Sequence, residues 1–328
     1  MRRILFVILA VIMVASAGVY AMFVRDIAGA RARLVGRSKT VETSFGTLEY
    51  AVLGEGDPIL AIHGAGGGFD QGIDMAGAVV GQGYQLIAPS RFGYLRSGPP
   101  DQLTTAIQAD AFAELLDSLG IHRAIIVGIS AGAWSSLQFA VRYPDRCTAL
   151  VLLVPADYLP AGTAIRGGSA VRAIFNSDFI AWAAVRLMPI MPGAMTRMML
   201  GTDSGVVRAA QPSEKLRVRQ VLEHLLPVSA RSAGMQFDID TATTREPDRL
   251  DGIACPVLTI SAADDRFGTA ARARHIAGSV ANGRTIIFPS GGHALVGDYT
   301  DALREITSFL RNQKAQQGAG KPKSGADY

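Results

Sequence analysis

Two glycines flank a serine in the segment Gly-Ile-Ser-Ala-Gly, which runs from Gly128 to Gly132. The chain contains 36 glycines, so chance alone could produce this pattern. Its surroundings add weight, because a strand-like apolar run precedes it at 124–127 and a helix-like stretch follows it. A serine in such a strand-to-helix turn is typical of an enzyme nucleophile, and the alternative is an ordinary loop serine before a helix. The pattern therefore makes Ser130 a candidate nucleophile.

The two glycines of this turn have a physical reason to be there. A sharp turn brings the strand and the helix so close together that side chains at positions 128 and 132 would clash. Ser130 would then lie at the N-terminus of a helix, where backbone N–H groups and the helix dipole stabilise developing negative charge.

A serine hydroxyl is a poor nucleophile without a general base, and the chain has five histidines. His293 lies in a Ser-Gly-Gly-His-Ala segment just after an apolar strand-like run. Because α/β sheets carry functional groups in loops at the carboxyl ends of their parallel strands, we expect His293 to be the base. Of the other four, one precedes a glycine-rich run and three lie in polar stretches predicted to be solvated: His63, His122, His224 and His275.

The base in turn needs an acidic residue that orients its ring. Asp264 and Asp265 follow the predicted strand 257–260 at its carboxyl end. The alternative is a solvated acidic loop paired with Arg266. By position alone, either aspartate could orient His293.

The order of these candidates along the chain, serine, aspartate and histidine, each after a strand, resembles the α/β-hydrolase family. The resemblance covers residues 40–312. It implies Ser130 as the nucleophile, His293 as the base and Asp265, rather than Asp264, as the acid.

The same resemblance assigns a role to the glycine-rich run His-Gly-Ala-Gly-Gly-Gly at 63–68. This run is similar to the oxyanion loop of the family, so the backbone N–H groups of Ala65 and Ala131 are implied as the oxyanion hole, with Gly66 as an alternative to Ala65. Two N–H donors must converge on the tetrahedral oxyanion, and small residues allow that approach. A phosphate-binding loop is excluded, because no Lys-Ser/Thr pair follows the run.

The loop after the next predicted strand departs from the family pattern. It carries Ser90 where the family usually has an aspartate. This position is not one of the three catalytic ones, so the departure removes only a guide to the substrate. Serine at position 130 also excludes family members that open epoxides or remove halides by covalent attack, which carry an aspartate there.

Strand-like and helix-like runs alternate over 40–154 and 252–312, which predicts an α/β fold with a mostly parallel central sheet flanked by helices. Between them, the stretch 155–251 has helical pieces and is predicted to be a helical lid. It contains a run of methionine and aliphatic residues that could be packing or an adaptable pocket wall. The run comprises Met188, Ile190, Met191, Met195, Met198, Met199 and Leu200.

The predicted strands are 40–45, 47–52, 58–62, 84–88, 124–127, 149–154, 257–260 and 285–288. The predicted helices are 70–81, 103–119, 132–143, 171–187, 212–226, 269–280 and 301–310. Thr300 is predicted to cap the last of these helices.

The chain begins with two arginines and an uncharged, mostly apolar run at residues 4–24. This run is long enough to span a bilayer, so residues 1–24 are predicted to be a membrane anchor, or a signal segment that is cleaved in export. Residues 25–39 are predicted to be a linker and residues 313–328 a disordered tail. The arginines after the run favour a cytoplasmic catalytic domain, whereas a signal-like start favours the outer face.

Composition and cysteines limit the partners. Apolar residues make up 49% of the 328 residues and the net charge is +4, without a basic stripe that would indicate nucleic acid.

Cys147 and Cys255 each precede a predicted strand by two residues, and the family resemblance makes these strands parallel neighbours. The thiols are therefore expected within disulfide range. A disulfide would indicate an oxidising compartment, and two buried thiols are the alternative.

Together these features predict a serine hydrolase that cleaves a carboxylic ester or similar acyl substrate through an acyl-enzyme, with no cofactor and no metal ion. Two alternatives use the same residues, namely acyl transfer and cleavage of a C–C bond next to a carbonyl. A third, from another class, is a non-catalytic membrane-tethered binding protein on a hydrolase scaffold. The sequence leaves the substrate and the oligomeric state open.

Overall fold

The computed structural model describes residues 1–79, 82–159, 175–188, 190, 192–244 and 249–319. The described residues form one eight-stranded sheet with the strand order β1-β2-β4-β3-β5-β6-β7-β8. Strands β1 and β2 are antiparallel to their neighbours, and the pairings from β4 to β8 are parallel. The strands are β1 (Lys39–Thr43), β2 (Gly46–Leu53), β3 (Asp57–Ile62), β4 (Tyr84–Pro89), β5 (Ala124–Ile129), β6 (Cys147–Leu153), β7 (Val257–Ala262) and β8 (Gly283–Phe288).

Helices flank this sheet, as predicted. The mostly parallel α/β fold is therefore confirmed. The described helices are α1 (Arg2–Ala32), α2 (Phe69–Ala76), α3 (Thr105–Ser118), α4 (Gly132–Arg142), α5 (Asp178–Leu187), α6 (Pro192–Leu200), α7 (Ser204–Ala209), α8 (Pro212–Glu223), α9 (Ser232–Thr244), α10 (Thr269–Ser279) and α11 (Tyr299–Ala319).

The central strands are apolar on both faces because each face is covered by helices. Along β3, Leu60 and Ile62 pack on one side in the cluster that contains residues of α3, α4 and α10. Their neighbours Ile59 and Ala61 pack on the other side with residues of α2 and α11. The period of two along each strand thus divides the core into two layers.

The hairpin and helix α2 differ at their ends from the sequence prediction. Strands β1 and β2 pair with Thr43 opposite Gly46, so the turn consists of Ser44 and Phe45 rather than being centred on Gly46. The helix expected over 70–81 ends at Ala76 and continues as a short 3-10 turn to residue 79. Residues 80 and 81 of that prediction lie outside the described residues.

The predicted linker 25–39 is wrong in its first half. Helix α1 continues through residue 32, so only 33–38 connect it to β1. The helix persists because its end packs on the protein: Ile27 is buried in a cluster with Trp182 and Leu226. Among the described residues, α1 is the one helix whose length and composition would allow it to cross a membrane.

The C-terminal helix also extends beyond the prediction. Helix α11 begins at Tyr299, so Thr300 lies in its first turn and does not cap it. It continues to Ala319, so residues 313–319 of the predicted tail are helical, while 320–328 lie outside the described residues. Lys314 stabilises this extension, because its Nζ atom lies 2.7 Å from Oδ2 of Asp57.

Helices α5 to α9 occupy the chain between β6 and β7, and two buried ion pairs join them to the core. Arg91, after β4, donates from both Nη atoms to the carboxylate of Asp238 in α9, at 2.6 Å each. Arg231 donates from Nη2 to Oδ2 of Asp70 in α2 at 2.8 Å. Buried charges require such partners, so these contacts hold the helices against the carboxyl end of the sheet. Residues 160–174 of this stretch, and with them the start of the predicted helix 171–187, lie outside the described residues.

Candidate active site

Ser130 lies in the turn between β5 and α4, in a backbone conformation that is unfavourable for a residue with a side chain. Its φ is +50°. The flanking glycines make the turn possible, because a Cβ on Gly128 would lie 2.4 Å from Oγ of Ser136, and one on Gly132 would lie 2.4 Å from the carbonyl oxygen of Ile62. The clash expected from the sequence at both positions is thus present in the geometry.

His293 and Asp265 meet Ser130 at the carboxyl end of the sheet. Nε2 of His293 lies 2.9 Å from Oγ of Ser130, and Nδ1 lies 2.8 Å from Oδ2 of Asp265. The three residues follow β5, β7 and β8, which are parallel, so their loops emerge at one edge. With Nδ1–H donated to the carboxylate, Nε2 can accept a proton from the serine hydroxyl.

The environment of Asp265 keeps its carboxylate ionised. Burial raises its pKa, but the hydrogen bond and charge of His293 outweigh that effect. The hydroxyl of Thr269 and the N–H of Phe267 also donate to this carboxylate. The net pKa of Asp265 therefore lies below its ordinary value. A group of that kind is suited to stabilise a protonated imidazole beside it.

Two backbone N–H groups are expected to bind an oxyanion, and they belong to residues before and after Ser130 in the chain. Ala65 follows β3, and Ala131 follows the serine directly. Within the described residues, neither N–H donates to a backbone carbonyl. Gly66, the alternative donor, is not among the residues that line the cavity at Ser130. Ala65 lines the cavity at Ser130, so the geometry favours it over Gly66.

The histidine that precedes the glycine-rich loop has a positioning role that the sequence did not reveal. His63 is fully buried, and its Nδ1 lies 2.7 Å from the carbonyl oxygen of Gly64, while its Nε2 accepts the N–H of Arg91 at 2.8 Å. Burial and the charge of Arg91 lower the pKa of His63 well below its ordinary value. A neutral imidazole with a proton on Nδ1 thus holds the Gly64 peptide, next to Ala65.

A cavity of about 90 Å³ opens beside Ser130 and His293. Part of its wall consists of apolar side chains from the segment between β6 and β7: Met199, Leu200, Val221, Leu222 and Leu225. Of the methionine-rich run, Met199 and Leu200 therefore form part of the pocket wall, whereas residue 191 and the side chain of residue 195 lie outside the described residues.

One cation also lines this cavity. Nη2 of Arg217 donates to the carbonyl oxygen of Ala294 at 2.7 Å, and its Nε donates to Glu214. Its Nη1 atom is buried and forms no hydrogen bond with any described residue. Because Arg217 lies in α8, far from the other site residues in the sequence, its spacing contained no signal for this position.

The described part of the chain contains no cluster of three or more His, Cys, Asp or Glu side chains that could hold a metal ion. The site itself presents a hydroxyl, an imidazole and a carboxylate in one hydrogen-bonded line, next to two backbone N–H groups.

A comparison with protein families identifies the family of the fold. The model of the α/β hydrolase fold family matches residues 57–298. The chain belongs to this family. The membership expected from the order of the motifs is thereby confirmed.

Individual members of the α/β hydrolase fold family are similar to most of the chain. YcgS, an uncharacterized hydrolase of Bacillus subtilis (strain 168), is 29% identical over 79% of this chain and 92% of its own. A 2-hydroxy-6-oxo-6-phenylhexa-2,4-dienoate hydrolase of Comamonas testosteroni is 24% identical over 81% and 92%. The solved structure of an α/β hydrolase fold protein from Nakamurella multipartita superposes with a TM-score of 0.66, at 26% identity, over 84% of this chain and 99% of that one.

These relatives support the prediction that the protein is an enzyme. Family membership together with similarity to named hydrolases makes the protein a hydrolase of the α/β fold family. The non-catalytic binding protein, which was the alternative from another class, is not favoured by these relatives.

Proposed function

We propose that the protein is a serine hydrolase that cleaves a carboxylic ester or a similar acyl substrate through an acyl-enzyme. The observation that supports this most directly is the unbroken line of hydrogen bonds from Ser130 through His293 to Asp265. In this proposal Ser130 is the nucleophile, His293 the general base and Asp265 the orienting acid. The backbone N–H groups of Ala65 and Ala131 form the oxyanion hole.

The proposed reaction needs only these groups. As Oγ of Ser130 attacks the acyl carbonyl carbon, its proton moves to Nε2 of His293, and the ionised Asp265 stabilises the imidazolium. The imidazolium then protonates the leaving alcohol as the C–O bond breaks. A water molecule then gives a proton to Nε2 as it attacks the acyl carbon, and the imidazolium returns that proton to Oγ of Ser130 as the C–O bond breaks, which releases the acid and restores the serine. Two N–H donors aimed at the oxyanion contribute by stabilising charge that exists only in the transition state.

The segment 155–251 is proposed to act as a lid over this site, between core segments 40–154 and 252–312. Its helices α6 and α8 supply the apolar cavity walls, which favours a substrate with an apolar part. The buried pairs between Arg91 and Asp238 and between Arg231 and Asp70 would keep the lid seated on the core.

Residues 4–24 are proposed to remain attached as a membrane anchor. Their apolar side chains are exposed on the surface of the protein, which is costly unless lipid covers them. The direct test is the mass of the protein extracted from membranes. A chain that still contains residues 1–24 after alkaline washing supports the anchor, whereas a chain shortened near Ala17 or Ala21 means that the segment is a cleaved signal.

A second candidate reaction is hydrolysis of a C–C bond next to a carbonyl with the same three residues. Two observations favour it: the similarity to the dienoate hydrolase of Comamonas testosteroni, and the guanidinium of Arg217 in the lining of the cavity. Such a donor could bind a carboxylate on the substrate. Acyl transfer to an alcohol or amine remains the third reaction of the set.

Fluorophosphonate labelling tests the central proposal. The full chain should react at Ser130, and Ser130→Ala should abolish labelling and lower hydrolysis of ester substrates by about 10⁴–10⁶-fold. Ser118→Ala is the matched control, because that serine lies exposed at the end of α3 and donates only to Leu115. Labelling that persists in a folded Ser130→Ala protein would contradict the proposal.

Product analysis separates the three reactions. Esters, vinylogous 1,5-diketones and an acceptor alcohol are offered to the full chain, and the products are identified by mass spectrometry in ¹⁸O-labelled water. Label in a carboxylic acid released from an ester supports the proposed function. Turnover of the diketone alone would replace it with C–C hydrolysis, and products that carry the acceptor would replace it with acyl transfer.

A further inference from the structure

Helix α1 changes its surroundings at residue 25. Up to Val24 its side chains are mostly exposed and apolar, and beyond that point it packs on the protein. Asp26 accepts hydrogen bonds from Nε1–H of Trp182 at 2.9 Å and from Nε of Arg186 at 3.0 Å. Both partners belong to α5. The end of the proposed anchor is therefore tied to the first described helix of the proposed lid.

Further contacts of Arg33 and Arg31 fix the direction in which α1 leaves the rest of the protein. Arg33 donates to Oδ2 of Asp70 at 2.9 Å and to the carbonyl oxygen of Leu226 at 3.0 Å. Nη2 of Arg31 lies 3.5 Å from the carboxylate of Asp178, the first residue of α5. Together with the bonds to Asp26, these contacts hold the end of α1 against α5 and α2.

The apolar part of α1 lies beside α5 as well. The ring of Phe23 packs edge-to-face on Phe179 and Trp182, with centroids 5.2 and 5.6 Å apart. A groove of about 480 Å³ continues along the anchor and is shared by Phe179 with α1 residues from Ile12 to Tyr20. The N-terminal end of α5 thus reaches the part of α1 that lipid would surround.

The outward face of α5, together with Ile190 just after the helix, is apolar where a soluble surface would be polar. After α1, nine large hydrophobic side chains among the described residues are exposed, and four of them fall between 179 and 190. These four are Phe179 (45% exposed), Ile180 (42%), Leu187 (43%) and Ile190 (76%). Exposed arginines lie beside this face, which suits anionic lipid headgroups: Arg25, Arg31 and Arg186.

The inward face of α5 contacts the wall of the cavity. Val185 and Met188 pack in the same cluster as Leu200 and Leu222, two of the residues that line the cavity at Ser130. Helix α5 and the lining residues of α6 and α8 therefore lie between the exposed apolar face and the site.

From this placement we infer that α5 is a second membrane-contact surface, continuous with the anchor, which rests the lid on the bilayer and supplies the site with esters dissolved in the membrane. The inference builds on the proposed anchor and the proposed esterase activity. Its occupant is a lipid leaflet rather than a protein, because the face continues directly into side chains of α1 that the anchor already places in lipid.

Depth measurements with nitroxide labels on the full chain test the surface. The chain is reconstituted in vesicles of equal parts phosphatidylcholine and phosphatidylglycerol, with single cysteines at Leu187 and Ile190. A label at Val11 on α1 reports the anchor, and a label at Leu216, which is 54% exposed on α8, reports an apolar residue in water. Cys147 and Cys255 are buried, and the unsubstituted chain gives their background.

Labels at 187 and 190 should be relaxed by oxygen, as at Val11, and shielded from a water-soluble nickel chelate, whereas the label at 216 should be open to the chelate. If the labels at 187 and 190 are as open to the chelate as the label at 216, while the label at Val11 remains in lipid, the inference is wrong. The anchor proposal is then unaffected. If Val11 is also open to the chelate, the anchor proposal fails, and the inference fails with it.

Activity on two substrates tests the functional part. The double variant Leu187→Glu/Ile190→Glu should lower hydrolysis of a long-chain ester embedded in the vesicles about tenfold, since it removes apolar contact with lipid. Hydrolysis of a short water-soluble ester should remain unchanged, and Leu216→Glu should change neither rate. An equal loss on both esters, or no loss on either, would overturn the supply of membrane-dissolved substrate. Absence of any hydrolysis in the unsubstituted chain would instead refute the proposed activity.

Discussion

Asp264 and Asp265 are neighbours in the chain, yet their carboxylates hold different partners. Oδ1 of Asp264 accepts the backbone N–H of Gly292 at 2.8 Å, whereas Oδ2 of Asp265 faces Nδ1 of His293 at 2.8 Å. One aspartate therefore holds the loop that carries the imidazole, and the other holds the imidazole itself. The two aspartates should therefore respond differently to substitution.

Asp265→Asn should lower kcat about 10⁴-fold at neutral pH, because an amide would favour the tautomer of His293 that cannot accept the serine proton. Asp264→Asn should change kcat less than about tenfold, since its amide oxygen can still accept the N–H of Gly292. Steady-state hydrolysis of one ester by both variants gives the comparison. Equal losses in the two variants would mean that Asp265 acts only by holding the loop.

The buried, neutral His63 should make stability depend on pH. Its folded pKa is well below the ordinary value of 6.5, so the unfolded chain binds a proton below about pH 6.5 that the folded protein does not bind. Unfolding should therefore become easier as pH falls, by about 1.4 kcal/mol per pH unit from this residue. The loss ends only when pH reaches the lowered folded pKa.

Denaturant unfolding of the full chain between pH 7 and pH 5 measures this effect. His63→Gln should show a shallower pH dependence than the unsubstituted protein, because the group that titrates is gone. His275→Gln, at an exposed position of α10, should keep the original slope. Equal slopes in all three proteins would show that His63 does not contribute to the pH dependence.

Gly132 should not tolerate a side chain. A Cβ there would lie 2.4 and 2.5 Å from the carbonyl oxygens of Ile62 and His63, which are backbone atoms that cannot move aside cheaply. Gly132→Ala should lower the free energy of unfolding by about 1–3 kcal/mol and reduce activity, because it shifts the loop that holds Ala65. Gly98→Ala, where a Cβ meets nothing within 4 Å, is the control for thermal unfolding and ester hydrolysis.

Arg217 should distinguish charged from neutral substrates. Arg217 lines the cavity at Ser130, and a hydrogen bond from its guanidinium to a carboxylate is worth about 1.5–3 kcal/mol, or about 10–100-fold. Arg217→Met should raise KM by that factor for an ester that carries a carboxylate. A neutral ester of equal length reports any general damage through the contact with Ala294. If KM changes equally for both esters, Arg217 does not select the substrate by charge.

Cys147 and Cys255 should join when they are oxidised. Strands β6 and β7 are parallel neighbours, as expected, and the two Sγ atoms are free and lie 3.3 Å apart. Treatment of the full chain with diamide should therefore remove both thiols and two hydrogen atoms from its mass, whereas Cys255→Ser should keep its thiol. Thiols that persist in the unsubstituted protein would show that the strands hold them in the wrong orientation. The state of the pair in protein alkylated at extraction then reports the compartment.

Local patterns in the sequence were sufficient for the fold and for the approximate place of the site. Apolar runs with turn residues at their ends predicted the parallel strands, because strand periodicity depends on neighbouring residues. The carboxyl ends of parallel strands share one edge, so Ser130, His293 and the aspartate pair could be expected together before any distance was measured. The ends of α1 and α11 were missed, because their extra turns are stabilised by contacts with Trp182 and Asp57 that are remote in the chain.

The directions in which side chains and N–H groups point were decided only by the tertiary structure. By spacing alone either aspartate could have reached His293, and only the family resemblance favoured Asp265; the fold of the loop turns Asp265 toward His293 and Asp264 toward Gly292. The fold also brings an arginine of α8 into the lining of the cavity. Sequence spacing determines which strand end a residue follows, whereas the direction of a side chain or an N–H group within a loop is set by packing against distant segments.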